Sequence, residues 1–239
     1  MKESGKGRAI TLKAICFFCG LILISLGINI SKMSGLGVSG VSSIPRACEV
    51  IWGLTLGKTT MLVYFVLVLL QLAVLRKRFK LRNVLGIPLS VLFGYIVDLT
   101  GTDPAAFGHL LLGFPAPGGY VTRLIYILIA MFCIGGGVFL YMLPGWIPMP
   151  AEGLAAAISE VTGKRFGDCK TGVDCALVLG ALLLQLVFLG GLTSFRDHVI
   201  VREGTVLIAI LVGQVVKYLN KHFREKIICL WMEGSERKA

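Results

Sequence analysis

Hydrophobic positions run in long unbroken blocks along this chain, and charge is confined to the gaps between them. Residues 14–31, 59–75, 83–97, 124–151, 175–195 and 204–216 contain no Asp, Glu, Lys or Arg. A helix needs about 20 apolar residues to cross the hydrocarbon core of a bilayer, and about 17 suffice. Four blocks reach that length, whereas the third and sixth, at 15 and 13 residues, are short. The pattern predicts an all-α membrane protein with six transmembrane helices.

The same pattern is written twice. Leu69-Leu70-Gln71-Leu72 returns as Leu183-Leu184-Gln185-Leu186, 114 residues later, while Gly53 and Gly57 return as Gly163 and Gly167. Gly86 and Gly94 return as Gly204 and Gly213. Duplication inside an apolar chain is a signature of transporter architecture. Residues 1–13 read as a cytoplasmic tail, 14–99 as a first three-helix repeat and 100–119 as an outer loop. Residues 120–219 read as a second three-helix repeat, and 220–239 as an amphipathic cytoplasmic tail carrying Phe223 and Trp231 among basic residues.

Composition agrees with this reading: 56% of residues are hydrophobic and 15% charged, against roughly 25% charged in a soluble domain. The net charge of +11 does not imply nucleic acid, because the basic residues stand at helix ends. With the N-terminus cytoplasmic, 18 of the 24 Lys and Arg fall on the cytoplasmic side, a strong positive-inside bias. Both termini are then cytoplasmic. The loop at 76–82 is basic, whereas its counterpart pairs Arg196 with Asp197 and Arg202 with Glu203. Opposite bias in equivalent loops predicts two antiparallel halves, an inverted repeat. The basic N-terminus followed by apolar residues resembles a signal peptide, but no small-residue cleavage site follows Ile30, so the segment reads as a retained first helix. The seven cysteines are odd in number and scattered, as packing residues are.

After the first and fourth crossings the apolar pattern is interrupted. Residues 35–45 are rich in Gly, Ser and Pro, and residues 144–153 hold three prolines and two glycines; each leads into a short helix ending near Gly53 or Gly163. Lipid cannot satisfy irregular backbone, so such segments persist at depth only against protein or a water-filled cavity. Two readings stay open: re-entrant segments lining a cavity, or surface loops followed by interfacial helices. On the first, the binding candidates are Asn29, Gly37, Ser39, Ser42, Ser43, Pro150, Glu152 and Gly153. Glu152, Asp98 and Lys217 are the ion-coupling candidates, since ionisable groups at membrane depth are functional by default. Snorkelling is the alternative for Lys217. Gln71 and Gln185 read as repeat mates and interhelical glue. The short crossings are expected at the centre of the bundle. Gly57-Lys58-Thr59 lacks the first glycine of a phosphate loop, and the three histidines are unclustered, so neither a nucleotide site, a metal site nor a cofactor is expected, and no catalytic set is present.

Gly35-Leu36-Gly37, Pro45, the stretch 53–57 and Lys77-Arg78-Phe79, with Pro150-Ala151-Glu152-Gly153 and residues 163–167, resemble the YitT/YczE group of bacterial membrane proteins, the YczE-like branch most closely. The resemblance implies a six-helix protein of the bacterial inner membrane. Some relatives in that group are classed with small-molecule exporters. The functional expectation is ion-coupled secondary transport or export of a small molecule rather than enzymatic activity. The rivals are a substrate-binding membrane subunit of a vitamin-type importer and a non-transporting scaffold or regulator. The partners expected are the lipid bilayer and a small-molecule substrate, with a homodimer left open.

Overall fold

The computed structural model describes residues 2–79, 81–102, 111, 115, 117–188 and 200–236. Among these the regular structure is helical, without strands. The first half comprises α1 (Lys2–Ser34), α2 (Gly40–Trp52), α3 (Leu56–Leu75), a 3-10 turn (Arg76–Arg78), α4 (Leu81–Val84) and α5 (Gly86–Leu99). The second comprises α6 (Tyr120–Met142), α7 (Pro150–Thr162), α8 (Phe166–Phe188) and α9 (Glu203–Glu236). Among the described residues five helices are long and apolar enough to cross a membrane: Ile10–Ser34, Leu56–Leu75, Tyr120–Met142, Phe166–Phe188 and Glu203–Glu225. The chain is therefore a helical membrane protein.

The two interrupted segments are built alike. α2 and α7 are each 13 residues long, and each is entered through extended backbone, at Ser39 (φ −61°, ψ 155°) and Met149 (φ −61°, ψ 154°). Each ends on a left-handed glycine, Gly53 or Gly163, whose N–H reaches the carbonyl four residues back. Only glycine adopts that geometry without a Cβ penalty. Pro150 opens α7, where its missing N–H costs no helical bond.

α1 and α6 pack antiparallel at close range. A Cβ on Gly20 would stand 2.8 Å from the Gly137 carbonyl, and one on Gly27 would stand 2.9 Å from that of Ala130. Seven residues forward on one helix are thus seven back on the other. Around this pair the short helices cross over: α2 packs on α8, and α7 on α3. The start of α2 lies halfway along α8, where the Ser43 hydroxyl reaches the Leu177 carbonyl at 3.2 Å. Its last turn returns to the end of α1, where Glu49 pairs with Lys32. The chain leaving α1 therefore doubles back before α2 begins. At the start of α7, Gln71 of α3 donates to the Pro150 carbonyl at 2.9 Å, and Gly153 gives that amide its space.

Several expectations are corrected. The helix expected as a short sixth crossing is long: Lys217 interrupts the apolar run but not the helix, which continues through the expected amphipathic tail as part of α9. Nor are α5 and α9 central. Tyr95 and Leu99 on α5, and Val206 and Ile210 on α9, are more than half exposed, because each helix packs through one side only. Residues 103–110 of the expected outer loop and the Arg196-Asp197 pair lie outside the described residues. The repeat register also changes. The buried residues of α8, Cys169, Val173, Leu177, Ala181 and Gln185, fall on Thr59, Val63, Leu67, Gln71 and Leu75 of α3 when Gly163 is set on Gly53. Gln71 thus corresponds to Ala181, and Gln185 to Leu75.

Candidate functional site

Glu152 lies in the first turn of α7, where a carboxylate complements the positive end of the helix dipole. It is buried, and its Oε1 stands 3.5 Å from Lys170 Nζ on α8. Lys170 in turn meets Asp174 Oδ1 at 2.7 Å, one turn further along the same helix. Asp174 lies against Gly40, the first residue of α2: a Cβ there would be 3.5 Å from the Asp174 Cβ. A charged chain therefore joins the starts of the two interrupted helices, Glu152 at one and Asp174 at the other, with Lys170 bridging them. Its formal charge is one negative.

Two tyrosines complete the surroundings. Tyr141, in the last turn of α6, places its hydroxyl next to the Glu152 carboxylate. Tyr64 of α3 lies within electrostatic reach of both Glu152 and Asp174. Glu152 Oε2 and the Tyr141 hydroxyl are both buried, and neither makes a hydrogen bond of ordinary geometry among the described residues, although the hydroxyl lies within reach of the Glu152 carboxylate and the Met149 backbone. An unsatisfied buried polar atom costs about 1–3 kcal/mol, more when charged. The phenol O–H can donate to the neighbouring carboxylate, and the remaining lone pairs of Glu152 suit one further hydrogen-bond donor or a cation. Among the described residues no three His, Cys, Asp or Glu side chains cluster as a metal site requires.

The sequence candidates divide into two groups. Pro150, Glu152 and Gly153 lie at the start of α7, and Ser39, Ser42 and Ser43 flank Gly40, the α2 residue that meets Asp174. Ser39 donates to the Ser42 hydroxyl at 3.0 Å, and Ser43 to the Gly40 carbonyl at 2.6 Å. Glu152 reaches this end through Lys170 and Asp174.

The other four candidates lie elsewhere. Asn29 donates to the Val97 carbonyl at 2.9 Å, which ties α1 to α5. Gly37, at φ 113°, gives space to the Thr205 hydroxyl at the start of α9. Asp98 is buried but fully engaged: it accepts from Thr55 Oγ1 at 2.8 Å and from the Gly57 N–H at 2.7 Å, capping α3. Lys217 is exposed on α9.

Sequence reasoning passed over Lys170, Asp174, Tyr141 and Tyr64. It began the fifth crossing after Asp174, where charge ends, whereas the helix begins at Phe166. The usable signal was the four-residue spacing of Lys170 and Asp174, which lets opposite charges neutralise each other on one helix face. Glu49 was missed as well; it is buried between Lys32 and Arg46, and Arg46 Nη1 approaches it at 2.6 Å.

A family model described as a family of unknown function (DUF6198) matches residues 11–221. No curated protein and no solved structure matches the chain. The matched region spans every element that builds the Glu152–Lys170–Asp174 network, and the chain is a member of the DUF6198 family.

Proposed function

We propose that the protein is an ion-coupled secondary transporter of a small molecule, made of two inverted repeats whose re-entrant helices α2 and α7 meet near the middle of the membrane. Glu152 is the coupling carboxylate: it takes up a proton or a cation at the position beside Tyr141, and substrate enters the same polar region. The observation that carries this reading is the Glu152–Lys170–Asp174 chain between the two helix starts, with Glu152 Oε2 buried near the Tyr141 hydroxyl and without a hydrogen bond of ordinary geometry among the described residues. The antiparallel packing of α1 on α6 and the crossed packing of α2 on α8 and α7 on α3 support the inverted arrangement. Substrate sites near the midplane, formed by discontinuous helices, recur in transporters of that symmetry. On this reading the protein sits in the bacterial inner membrane with both termini cytoplasmic.

Thermal unfolding of the purified full chain tests the reading, because whatever binds the native state raises its melting temperature. Melting is followed across acidic to neutral pH and across sodium concentrations, for wild type and Glu152→Gln. The expected result is a pH- or sodium-dependent shift in wild type that Glu152→Gln abolishes. A shift of the same size in both proteins would remove Glu152 from the coupling role.

A further inference from the structure

The two halves differ at one helix face. On α3 the stripe Gly57, Thr60, Tyr64 and Val68 is buried beneath α5: Gly57 meets the Gly94 backbone, and Tyr64 stacks on Phe93 at 5.9 Å. The equivalent stripe of α8 is Gly167, Lys170, Asp174 and Val178. Gly167 is exposed and the other three are half-buried; a Cβ on Gly167 would meet nothing within 4 Å among the described residues. Two members of the charged network, Lys170 and Asp174, are therefore held by Glu152 and Gly40 on one side while their side chains stay 23% and 31% exposed among the described residues.

α9 carries the matching surface. It buries Gly204, Thr205 and Ile208 in the spacing with which α5 buries Leu89, Ser90 and Phe93. In that register Gly94 and Asp98, the α5 residues that meet α3, correspond to Ala209 and Gly213. Both are exposed, and a Cβ on Gly213 would also meet open space. The small-residue contact made between α3 and α5 is thus unmade between α8 and α9, with both of its surfaces present.

We propose that the Gly167–Lys170–Asp174 face of α8 is the entrance to the Glu152 site and that α9 is its gate, closing by docking Ala209 and Gly213 on Gly167 as α5 docks on α3. The proposal rests on the transporter reading above. The described arrangement is the state open along α8. Closure removes Lys170 and Asp174 from their surroundings, and small residues on both helices let the backbones approach closely.

Gly167→Cys with Gly213→Cys, in a chain whose seven native cysteines are replaced by Ala or Ser, tests the gate. A disulfide needs Cα atoms within about 7 Å, so it traps only the closed state. The expected result under mild oxidation is a monomer in which mass spectrometry finds both thiols consumed. Two free thiols after oxidation would overturn the gate. A disulfide-linked dimer would also overturn it, assigning the face to a second copy of the chain.

The otherwise native chain supplies a second measurement. Gly213→Trp fits the open arrangement and blocks closure, so modification of Lys170 by an amine-reactive ester should rise relative to wild type. Equal modification would contradict gating. Neither measurement uses the pH- or sodium-dependence assigned to Glu152, so the gate and the coupling role fail separately.

Discussion

Lys170 is the residue on which the polar centre depends, since it stands between two carboxylates. Removing one partner of a buried ion pair leaves uncompensated charge and costs about 3–5 kcal/mol. The Lys170 side chain is 23% exposed, which puts the expected cost of Lys170→Met near the lower end, about 3 kcal/mol. That cost should shrink at low pH, where protonation neutralises the stranded carboxylates; chemical denaturation at two pH values measures it. Asp98 makes the opposite case. Its two oxygens cap the start of α3, so Asp98→Asn should lower stability by about 1 kcal/mol, the usual loss for a weakened cap. The pH- or sodium-dependence of melting should stay as in wild type. If that dependence vanishes instead, Asp98 shares the coupling role with Glu152.

Among the elements, glycine positions separate contacts that are made from contacts that are not. Gly57 lies against the Gly94 backbone and the Asp98 carboxylate, so Gly57→Ala must push α5 away, at the upper end of the roughly 1–3 kcal/mol typical of overpacking. Gly167→Ala, at the equivalent place in α8, meets open space and should be neutral or stabilising by up to about 1 kcal/mol from helix propensity. Paired unfolding measurements give the contrast; equal losses would mean that the two helix faces are covered alike. This asymmetry also shows what the sequence could convey. The interrupted segments were legible because Gly and Pro cannot be solvated by lipid and because Gly53 and Gly163 are needed in left-handed backbone. The charged stripe was legible only in its four-residue spacing: Lys170 and Asp174 neutralise each other within the helix, so charge alone placed them outside it. The length of α9 was hidden for a related reason, since Lys217 is exposed and ends an apolar run without ending a helix. Counting apolar residues measures neither mutual neutralisation nor one-sided packing.

For the whole molecule, the proposed inverted arrangement draws more support from pairwise packing than from repeat spelling. The Leu-Leu-Gln-Leu landmark matched residues 114 apart, but burial sets α8 on α3 in the register of the two left-handed glycines, which sends Gln71 and Gln185 to different structural positions. Landmarks made of common apolar residues slide along a helix by a turn, whereas a glycine required by backbone geometry does not. The crossing of α2 onto α8 and of α7 onto α3 interleaves the halves, so neither repeat buries its short helix alone. Destabilising one half should therefore unfold both. Gly137→Ala, at the close approach of α1 to α6, should yield a single cooperative transition at lower temperature. Two separated transitions would indicate independent halves.

The central claim is that α2 and α7 enter the membrane from opposite faces and meet at the Glu152–Lys170–Asp174 chain. Single cysteines at Leu54 and Lys164, which follow the exposed ends of α2 and α7, report it most directly when placed in a cysteine-free chain and labelled with a membrane-impermeant maleimide. The account predicts that Leu54→Cys labels in intact cells and Lys164→Cys labels only in inside-out vesicles. Labelling of both positions from the same side would contradict the inverted repeat and the midplane site built on it.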